Sequence, residues 1–340
     1  MKTLPMTYHY ESNATMSELA SLIRKAQRIL VTSHAKPDGD AIGSVLALVR
    51  ALKSMGKEAD GWLMGPIEPS LRSLAEDTPL YVVEERQPDD SYDLVIVTDT
   101  GAWVQLEPLA PWLKKHHERV IGFDHHAAGE EVAMKRIVDT SKASVTQILV
   151  DLMDELEIKL VGDRGGVAEA LFVGLATDTG WFKFQNADAE AFRVASRLLG
   201  AGVDKSRLYQ VIEETAAPSR LALEARSLSS VEYFKDGTIV IMLLREEDFQ
   251  ATGGSLNDLT GLVNTPMQVG AVQVSILLTQ VNPGTTKISF RSKPACADRS
   301  ATDVNELAKH FGGGGHCHAA GARLDMNIDE AKAAILSVLE

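Results

Sequence analysis

Cysteine, long apolar runs and clustered positive charge are all scarce in this sequence. The two cysteines, Cys296 and Cys317, are too few for a disulfide framework, and residues 1–16 lack the apolar segment of a signal peptide. We therefore expect the reducing environment of the cytoplasm. No stretch of about 18 apolar residues occurs, so we expect neither a membrane-spanning helix nor a membrane partner.

The charge balance argues against binding to long nucleic acid. The chain has 34 Lys and Arg against 47 Asp and Glu, a formal net charge of −13 at pH 7. Proteins that bind long DNA or RNA usually present a basic face. The most basic segment here, residues 112–119, is more simply explained as a solvated helix face. An acidic chain can still handle nucleotides if bound cations supply positive charge locally.

Strand and helix patterns alternate over the first 200 residues. Short apolar and β-branched runs that lead into polar loops lie at 28–33, 92–102 and 119–129. Apolar residues recur at helical spacing over 41–56, 143–157 and 165–182. This alternation predicts an α/β fold in which a parallel sheet carries helices on both faces.

After about residue 200 the pattern becomes that of a smaller α+β domain. Strands are predicted over 238–249, 271–280 and 286–292. Helices are predicted over 255–266, 303–311 and 328–339. We therefore expect a first domain over 1–205, a connector over 206–225 and a second domain over 226–340.

Carboxylates and histidines follow three of the predicted strands and one predicted helix. They are His34, Asp38 and Asp40 in "SHAKPDGD", Asp99 in "VTDT", Asp124, His125 and His126 in "FDHH", and Asp178 in "LATDTGWF". Taken singly, each has a structural explanation, such as a helix N-cap at Asp40, an Asx-turn at Asp99 or a buried core histidine. Together they can converge, because ligands bind beyond the carboxyl ends of strands in open α/β sheets. Such a mixed set suits divalent ions such as Mn²⁺, and the count suits two ions that share a carboxylate and activate water against a phosphate ester.

These four segments resemble the N-terminal motifs of the DHH phosphoesterases, in that family's order. The segment "FGGGGHCHAAG" resembles the glycine-rich signature of the DHH-associated C-terminal domain. The resemblance extends from about residue 20 to residue 335. Within the family, the length and "GGGGH" are most similar to the nanoRNases, which hydrolyse short oligoribonucleotides. Those enzymes often act on 3′-phosphoadenosine 5′-phosphate as well.

The resemblance implies a role for each matching residue. The implied metal ligands are His34 and Asp38 for one ion, Asp40, His125 and Asp178 for the other, and Asp99 as the bridge. Asp124 would orient a ligand histidine or hold the backbone. His126 would face the substrate phosphate as a general acid. His126, Asp99 and Asp124 are thus the implied catalytic residues.

A second group of residues would bind the substrate. The implied group is Arg291, Gly313, Gly314, Gly315 and His316. Glycines allow close backbone approach to a phosphate, although a helix end followed by a turn also favours glycine. Arg291 could make a bidentate phosphate contact, or it could be a solvated strand end. A clamp on a terminal phosphate would explain a preference for very short chains.

The resemblance therefore implies an exonuclease-like hydrolase with two Mn²⁺ ions, for which Mg²⁺ or Co²⁺ are alternatives. It would cleave di- to pentanucleotides to mononucleotides and 3′-phosphoadenosine 5′-phosphate to AMP, in a cleft between the two domains. Two alternatives stay open: a phosphodiesterase for linear or cyclic dinucleotides, and a nucleotide-binding regulator without catalysis. The sequence leaves open the direction of degradation, the base preference and the oligomeric state, for which a homodimer is one option.

Overall fold

A computed structural model describes residues 9–295 and 300–339, and the chain divides into two compact units between Thr215 and Ala216. The first unit contains, in chain order, α1 (Met16–Lys25), β1 (Arg28–Thr32), α2 (Gly39–Ser54), β2 (Glu58–Leu63), α3 (Pro69–Ser73), β3 (Leu80–Val82), β4 (Leu94–Thr98), α4 (Ala110–Lys115), β5 (Val120–Asp124), β6 (Lys135–Val138), α5 (Val145–Glu155), α6 (Val167–Asp178), α7 (Ala189–Gly200) and α8 (Lys205–Glu213). The second contains α9 (Pro218–Ser229), β7 (Glu232–Phe234), β8 (Ile239–Leu244), α10 (Glu246–Thr252), β9 (Val274–Asn282), β10 (Thr285–Ser292), α11 (Val304–Lys309), β11 (Gly314–His316), β12 (Ala319–Leu324) and α12 (Ile328–Leu339). Cys296 lies outside the described residues.

The first unit has a parallel sheet with strand order β3-β2-β1-β4-β5-β6. Its central strands are buried on both sides, as their apolar sequences require. In β1, Ile29 and Val31 join the core that contains α2, α5 and α6, whereas Leu30 joins the core that contains α4. The predicted α/β sheet with helices on both faces is therefore confirmed.

The strand order decides where a site can form. The chain runs outward from β1 to β2 and β3, then returns to the other side of β1 as β4 and continues outward to β6. At such a reversal, the loops after neighbouring strands diverge and leave a crevice beyond the carboxyl ends. The loops that follow β1, β4 and β5 border this crevice.

Helices α2 and α6 pack antiparallel and unusually close. A Cβ on Gly43 would lie 2.5 Å from the carbonyl oxygen of Ala170, and one on Gly39 or Gly174 would overlap side chains of the facing elements. Glycine removes these clashes and permits the approach. As a result, the first turn of α2 lies beside the last turn of α6, where Asp178 ends the helix.

The second unit has a mixed sheet with order β11-β12-β10-β9-β8-β7, in which β8 and β9 are parallel and the other pairs are antiparallel. Helices α11 and α12 cover one face over Ile276, Ile288 and Phe290. The smaller α+β domain is therefore confirmed. Of the described residues, no helix has the length and apolarity needed to cross a lipid bilayer.

Two predicted elements of this unit differ from the structure. The strand predicted over 238–249 ends at Leu244, and α10 begins at Glu246 because acidic residues at 246–248 favour a helix N-terminus. The helix predicted over 255–266 is instead two 3₁₀ segments, Leu256–Leu259 and Leu262–Gln268. Gly261, in a left-handed conformation, separates them.

Candidate metal centre and active site

The sequence-predicted ligands of the first unit lie together at the crevice. His34 follows β1, Asp99 follows β4 directly, and His125 follows the last residue of β5. Asp40 lies in the first turn of α2, and Asp178 ends α6. The side chains arrive from separate parts of the chain because the parallel strands all end at one edge.

Asp99 lies at the centre of the cluster. Its Oδ2 is 3.5 Å from Nε2 of His34, and its Oδ1 is 3.5 Å from Nε2 of His125. Ligand atoms of His34, Asp38 and Asp99 lie within 4.8 Å of one another, and so do those of Asp40, His125 and Asp178. These two groups of oxygen and nitrogen donors adjoin, with Asp99 in contact with both, and Asp99, His125 and His126 form a third, overlapping group.

Three properties of Asp99 fit a cation-binding site. The residue is 3% exposed, and its Oδ1 has no hydrogen-bond donor among the described residues. Its φ of +61° is the left-handed conformation that non-glycine residues seldom adopt. A buried acceptor without a partner costs free energy, and backbone strain of this kind persists only where the surroundings enforce it. A divalent cation would satisfy that oxygen, so the residues present fit a metal centre.

Backbone contacts orient His34 and His125. Nδ1 of His34 lies 3.0 Å from the carbonyl oxygen of Ala35, and Nδ1 of His125 lies 3.3 Å from that of Lys142. A carbonyl only accepts, so each Nδ1 carries a proton and donates it. In the neutral form of each ring, Nε2 then faces the carboxylates without a proton and is free to bind a metal ion.

Asp38, and not Asp40, caps the N-terminus of α2. Asp38 is the N-cap of α2, since its Oδ1 accepts from the amides of Asp40 and Ala41, both at 3.1 Å. The N-cap considered for Asp40 is therefore wrong. Asp40 is fully buried and accepts from the amides of Val145 and Thr146 at the start of α5. These amides fix the carboxylate beside Asp178 and His125.

Asp124 holds the chain around the histidine pair. Its Oδ1 accepts from the amides of His125 and His126, at 2.8 and 3.2 Å, and from Nδ1 of His126 at 2.8 Å. Its Oδ2 accepts from the hydroxyl of Tyr10 at 2.5 Å. The carboxylate thus orients His126, whose side chain is 54% exposed, and leaves the ring of His125 to Lys142. Nothing in the sequence pattern singles out Tyr10, which lies 114 residues from Asp124.

The crowded charges shift the ionisation of the cluster. Burial, with repulsion from Asp99 and Asp38, raises the pKa of Asp178 to about 7. Burial and the same kind of repulsion raise the pKa of Asp40 well above its usual value. Burial disfavours the protonated rings, yet hydrogen bonds to aspartates raise the pKa of His125 to about 9 and that of His34 to about 11. The site attracts positive charge, which protons or divalent cations can supply.

Arg291 and His316, of the substrate-binding group, lie close together in the second unit. Both pair with Ala319 of β12, Arg291 from β10 on one side and His316 from β11 on the other. Arg291 is half-buried, its Nη1 donates to the carbonyl of Phe290 at 2.8 Å, and burial lowers the pKa of its guanidinium. His316 is exposed. An anion could bind between a guanidinium and an imidazole in this arrangement.

Packing and backbone conformation explain three of the four glycines in the run. Gly312 has a φ of +67°, and a Cβ on Gly313 or Gly315 would overlap the backbone of β12. These three glycines are required by the turn and by strand pairing. Gly314 is exposed, and a Cβ there would lie no closer than 3.7 Å, from Oδ1 of Asn305. Packing therefore gives no reason for glycine at Gly314.

Fold and site together define a class of protein. Residues 28–175 match the DHH family, N-terminal domain, and residues 237–340 match the DHHA1 domain. The chain belongs to the DHH family, and the resemblance inferred from its motifs is confirmed. It is a hydrolase of the phosphoesterase class.

Several individual proteins are similar to this chain over most of its length. The chain is 32% identical over 312 residues to the bifunctional oligoribonuclease and PAP phosphatase NrnA of Thermus thermophilus, covering 92% of this chain and 89% of the relative. It is 26% identical over 319 residues to the protein of that name from Bacillus subtilis, covering 93% and 95%. Among solved structures, an exopolyphosphatase-related protein from Bacteroides fragilis has a TM-score of 0.84 at 25% identity, covering 97% and 96%.

Proposed function

We propose that this chain hydrolyses di- to pentanucleotides to mononucleotides and 3′-phosphoadenosine 5′-phosphate to AMP. The observation that carries the proposal is Asp99, a buried, strained carboxylate with an unsatisfied oxygen between two groups of metal ligands. The names of the relatives from Thermus thermophilus and Bacillus subtilis support the two substrates.

We propose Mn²⁺ as the metal, with Mg²⁺ or Co²⁺ as alternatives. One ion would be held by His34 and Asp38, the other by Asp40, His125 and Asp178, and Asp99 would contact both. Imidazole and carboxylate donors without thiolate suit such ions. When bound, the ions would supply positive charge for phosphate oxygens and make water a stronger acid.

The chain itself supplies the proton for the leaving oxygen. The hydrogen bond to Asp124 raises the pKa of His126, although burial opposes the shift. With Nδ1 donating to Asp124, a protonated His126 ring presents Nε2–H as the free acid. His126 thus acts as the general acid, and Asp124 keeps its proton on the ring.

The second unit selects the substrate in this proposal. Arg291 and His316 bind a terminal phosphate, and the backbone of Gly313, Gly314 and Gly315 approaches it closely. A clamp closed at one end limits the length of chain that can bind. Short chains are therefore preferred, and 3′-phosphoadenosine 5′-phosphate binds as the shortest of them.

Product analysis on end-labelled substrates tests the proposal. We expect release of mononucleotides from 5′-labelled di- to pentanucleotides with Mn²⁺, little turnover of a 24-mer, and loss of activity with a chelator. Asp99→Asn serves as the matched control because it keeps the size of the side chain, and we expect it to be inactive. Turnover of the dinucleotide by Asp99→Asn at the wild-type rate would reject the metal centre.

The same assay separates the alternatives. A cyclic dinucleotide that is cleaved faster than the linear dinucleotide would favour a signalling phosphodiesterase. Tight binding of nucleotides without hydrolysis under any tested metal would favour a regulator. Either result would replace the proposed activity.

A further inference from the structure

A short segment before the first helix contacts the loops that carry the site. We call residues 10–13 the N-terminal strap. Asn13 exchanges backbone and side-chain hydrogen bonds with Arg136 of β6, at 3.1 and 2.7 Å. Ser12 Oγ donates to the carbonyl of Val138 and accepts from its amide, at 3.0 and 2.8 Å. The strap therefore lies alongside β6, the edge strand of the first sheet.

The ring of Tyr10 lies between two of the active-site loops. A Cβ on Gly129 would lie 2.6 Å from the ring, and one on Gly101 would overlap it as well. Gly101 follows Asp99 by two residues, and Gly129 follows His126 by three. The amide of Glu130 also donates to the carbonyl of Gly101 at 2.6 Å, which links the loops beneath the ring. Both loops thus have glycine where the tyrosine ring contacts them.

The hydroxyl of Tyr10 donates the hydrogen bond to the second carboxylate oxygen of Asp124. The Asp124 carboxylate is 2% exposed, and three donors from His125 and His126 converge on its Oδ1. Tyr10 is the donor to Oδ2, at 2.5 Å. Without the Tyr10 hydroxyl, this buried oxygen would lose that hydrogen bond, and the carboxylate could rotate away from Nδ1 of His126.

We propose that Tyr10 is a positioning residue whose hydroxyl fixes Asp124, and through it the ring of His126. This inference rests on the proposed function of His126 as general acid. Tyr10 lies before residue 28, where the family match begins, so the first unit recruits a residue outside the matched domain to its active site. A tyrosine suits this role because its ring packs between the loops while its rigid hydroxyl reaches the carboxylate.

The test compares Tyr10→Phe with Ser12→Ala in the full chain with Mn²⁺. Tyr10→Phe keeps the ring between the glycines and removes only the hydroxyl. We expect kcat on a dinucleotide to fall about tenfold, with KM and Mn²⁺ affinity within about twofold. Ser12→Ala removes strap hydrogen bonds but leaves Tyr10 in place, and we expect kcat within about twofold of wild type.

Two further measurements separate positioning from mere stabilisation. In an Asp124→Asn background, Tyr10→Phe should change the residual kcat by less than about twofold, because the coupled partner is gone. In the NMR spectrum of the chelated protein, the His126 ring resonances should shift in Tyr10→Phe and not in Ser12→Ala. A tenfold effect that persists in Asp124→Asn, or equal losses of Tm and kcat in Tyr10→Phe and Ser12→Ala, would overturn the proposal.

The NMR measurement also tests the positioning role of Tyr10 separately from the proposed hydrolytic activity. If the wild-type protein hydrolyses no dinucleotide, the proposed function fails, and the His126 resonances still report on Tyr10. Unchanged His126 resonances in Tyr10→Phe would then reject the positioning role by itself. A wild-type kcat in Tyr10→Phe would reject it while leaving the proposed function intact.

Discussion

Adjacent residues in the "DHH" segment do different work because each faces a different neighbour. Asp124 turns inward to the backbone and Tyr10, His125 turns its Nε2 to Asp99 and Asp178, and His126 is half-exposed. The distance from Nε2 of His125 to Oδ2 of Asp178 is 3.4 Å. Nε2 of His125 thus faces the buried carboxylates, whereas Nδ1 of His126 is held by Asp124.

Alanine at each histidine should give distinct defects. We expect His125→Ala to weaken Mn²⁺ binding by at least about tenfold, because a ligand is lost. We expect His126→Ala to bind Mn²⁺ within about twofold of wild type but to lose about 100-fold in kcat, as for removal of a general acid. Calorimetric Mn²⁺ titration and dinucleotide turnover measure the two effects. Equal losses of metal affinity would mean that His126 is also a ligand.

The sequence predicted which residues converge but not how each is held. The convergence of His34, Asp99 and His125 could be predicted because they follow strands whose carboxyl ends share one edge. The N-cap role of Asp38 could not, because the first turn of α2 depends on Gly39 packing against Thr177 of α6. Tyr10 could not either, since its contact with Asp124 crosses 114 residues and has no local pattern.

At the scale of elements, close helix packing sets the geometry of the metal centre. The antiparallel contact of α2 and α6 brings Asp40 and Asp178 together, and it depends on small residues at the crossing. A Cβ on Gly174 would overlap Asp40 Oδ1 and the side chain of Thr146. The contact that packs α2 against α6 therefore also positions the carboxylate of Asp40.

Gly174→Ala should damage both stability and the site. We expect the free energy of unfolding to fall by about 1–3 kcal/mol from overpacking, and Mn²⁺ affinity to fall because Asp40 is displaced. Gly200→Ala is the matched control, since Gly200 ends α7 and a Cβ there meets nothing within 4 Å. Denaturant unfolding and Mn²⁺ titration test the pair. Gly174→Ala with wild-type metal affinity would show that Asp40 tolerates the shift.

The glycine run gives a second contrast within one element. We expect Gly313→Ala to destabilise the second unit by about 1–3 kcal/mol, because its Cβ would enter β12. We expect Gly314→Ala to leave the midpoint of thermal unfolding unchanged and to raise KM for a dinucleotide, because only substrate approach would need glycine there. Unfolding curves and steady-state kinetics distinguish the two. A wild-type KM in Gly314→Ala would remove Gly314 from the substrate site.

At the scale of the whole molecule, sequence pattern predicted the class of each unit better than its strand count. The strands β2 and β3 were not predicted, because "EADGWL" breaks its apolar run with Asp60 and Gly61 and β3 has only three residues. Edge strand β11 was not predicted either, since glycine has low strand propensity and only pairing with β12 makes it extended. Tertiary pairing, rather than local preference, decides these segments.

The clustered charges predict how stability changes with pH in the metal-free protein. Asp178, with its pKa raised to about 7, and His125, with its pKa raised to about 9, hold protons that the unfolded chain has released. The free energy of unfolding therefore falls as pH rises from 6 to 8.5. Asp178 loses its proton as pH passes its pKa of about 7, and His125 begins to lose its proton as pH approaches its pKa of about 9. Mn²⁺ held by these residues would replace the protons, so its stabilising effect should grow over the same pH range.

Thermal unfolding with chelator and with Mn²⁺, at pH 6 and 8.5, measures both trends. Asp178→Asn should flatten the decline in the chelated protein, because it removes one of the groups whose pKa is raised. Asp154→Asn is the control: its hydrogen bond to Arg197 lowers the pKa of Asp154, so its contribution is lost only in acid, below this range. A Tm that rises with pH in chelator, or identical slopes for the two variants, would show that the cluster does not hold these protons. In that case the negative electrostatic potential around Asp99 would be weaker than the nearby carboxylates suggest. The argument for two bound cations would then be weaker as well.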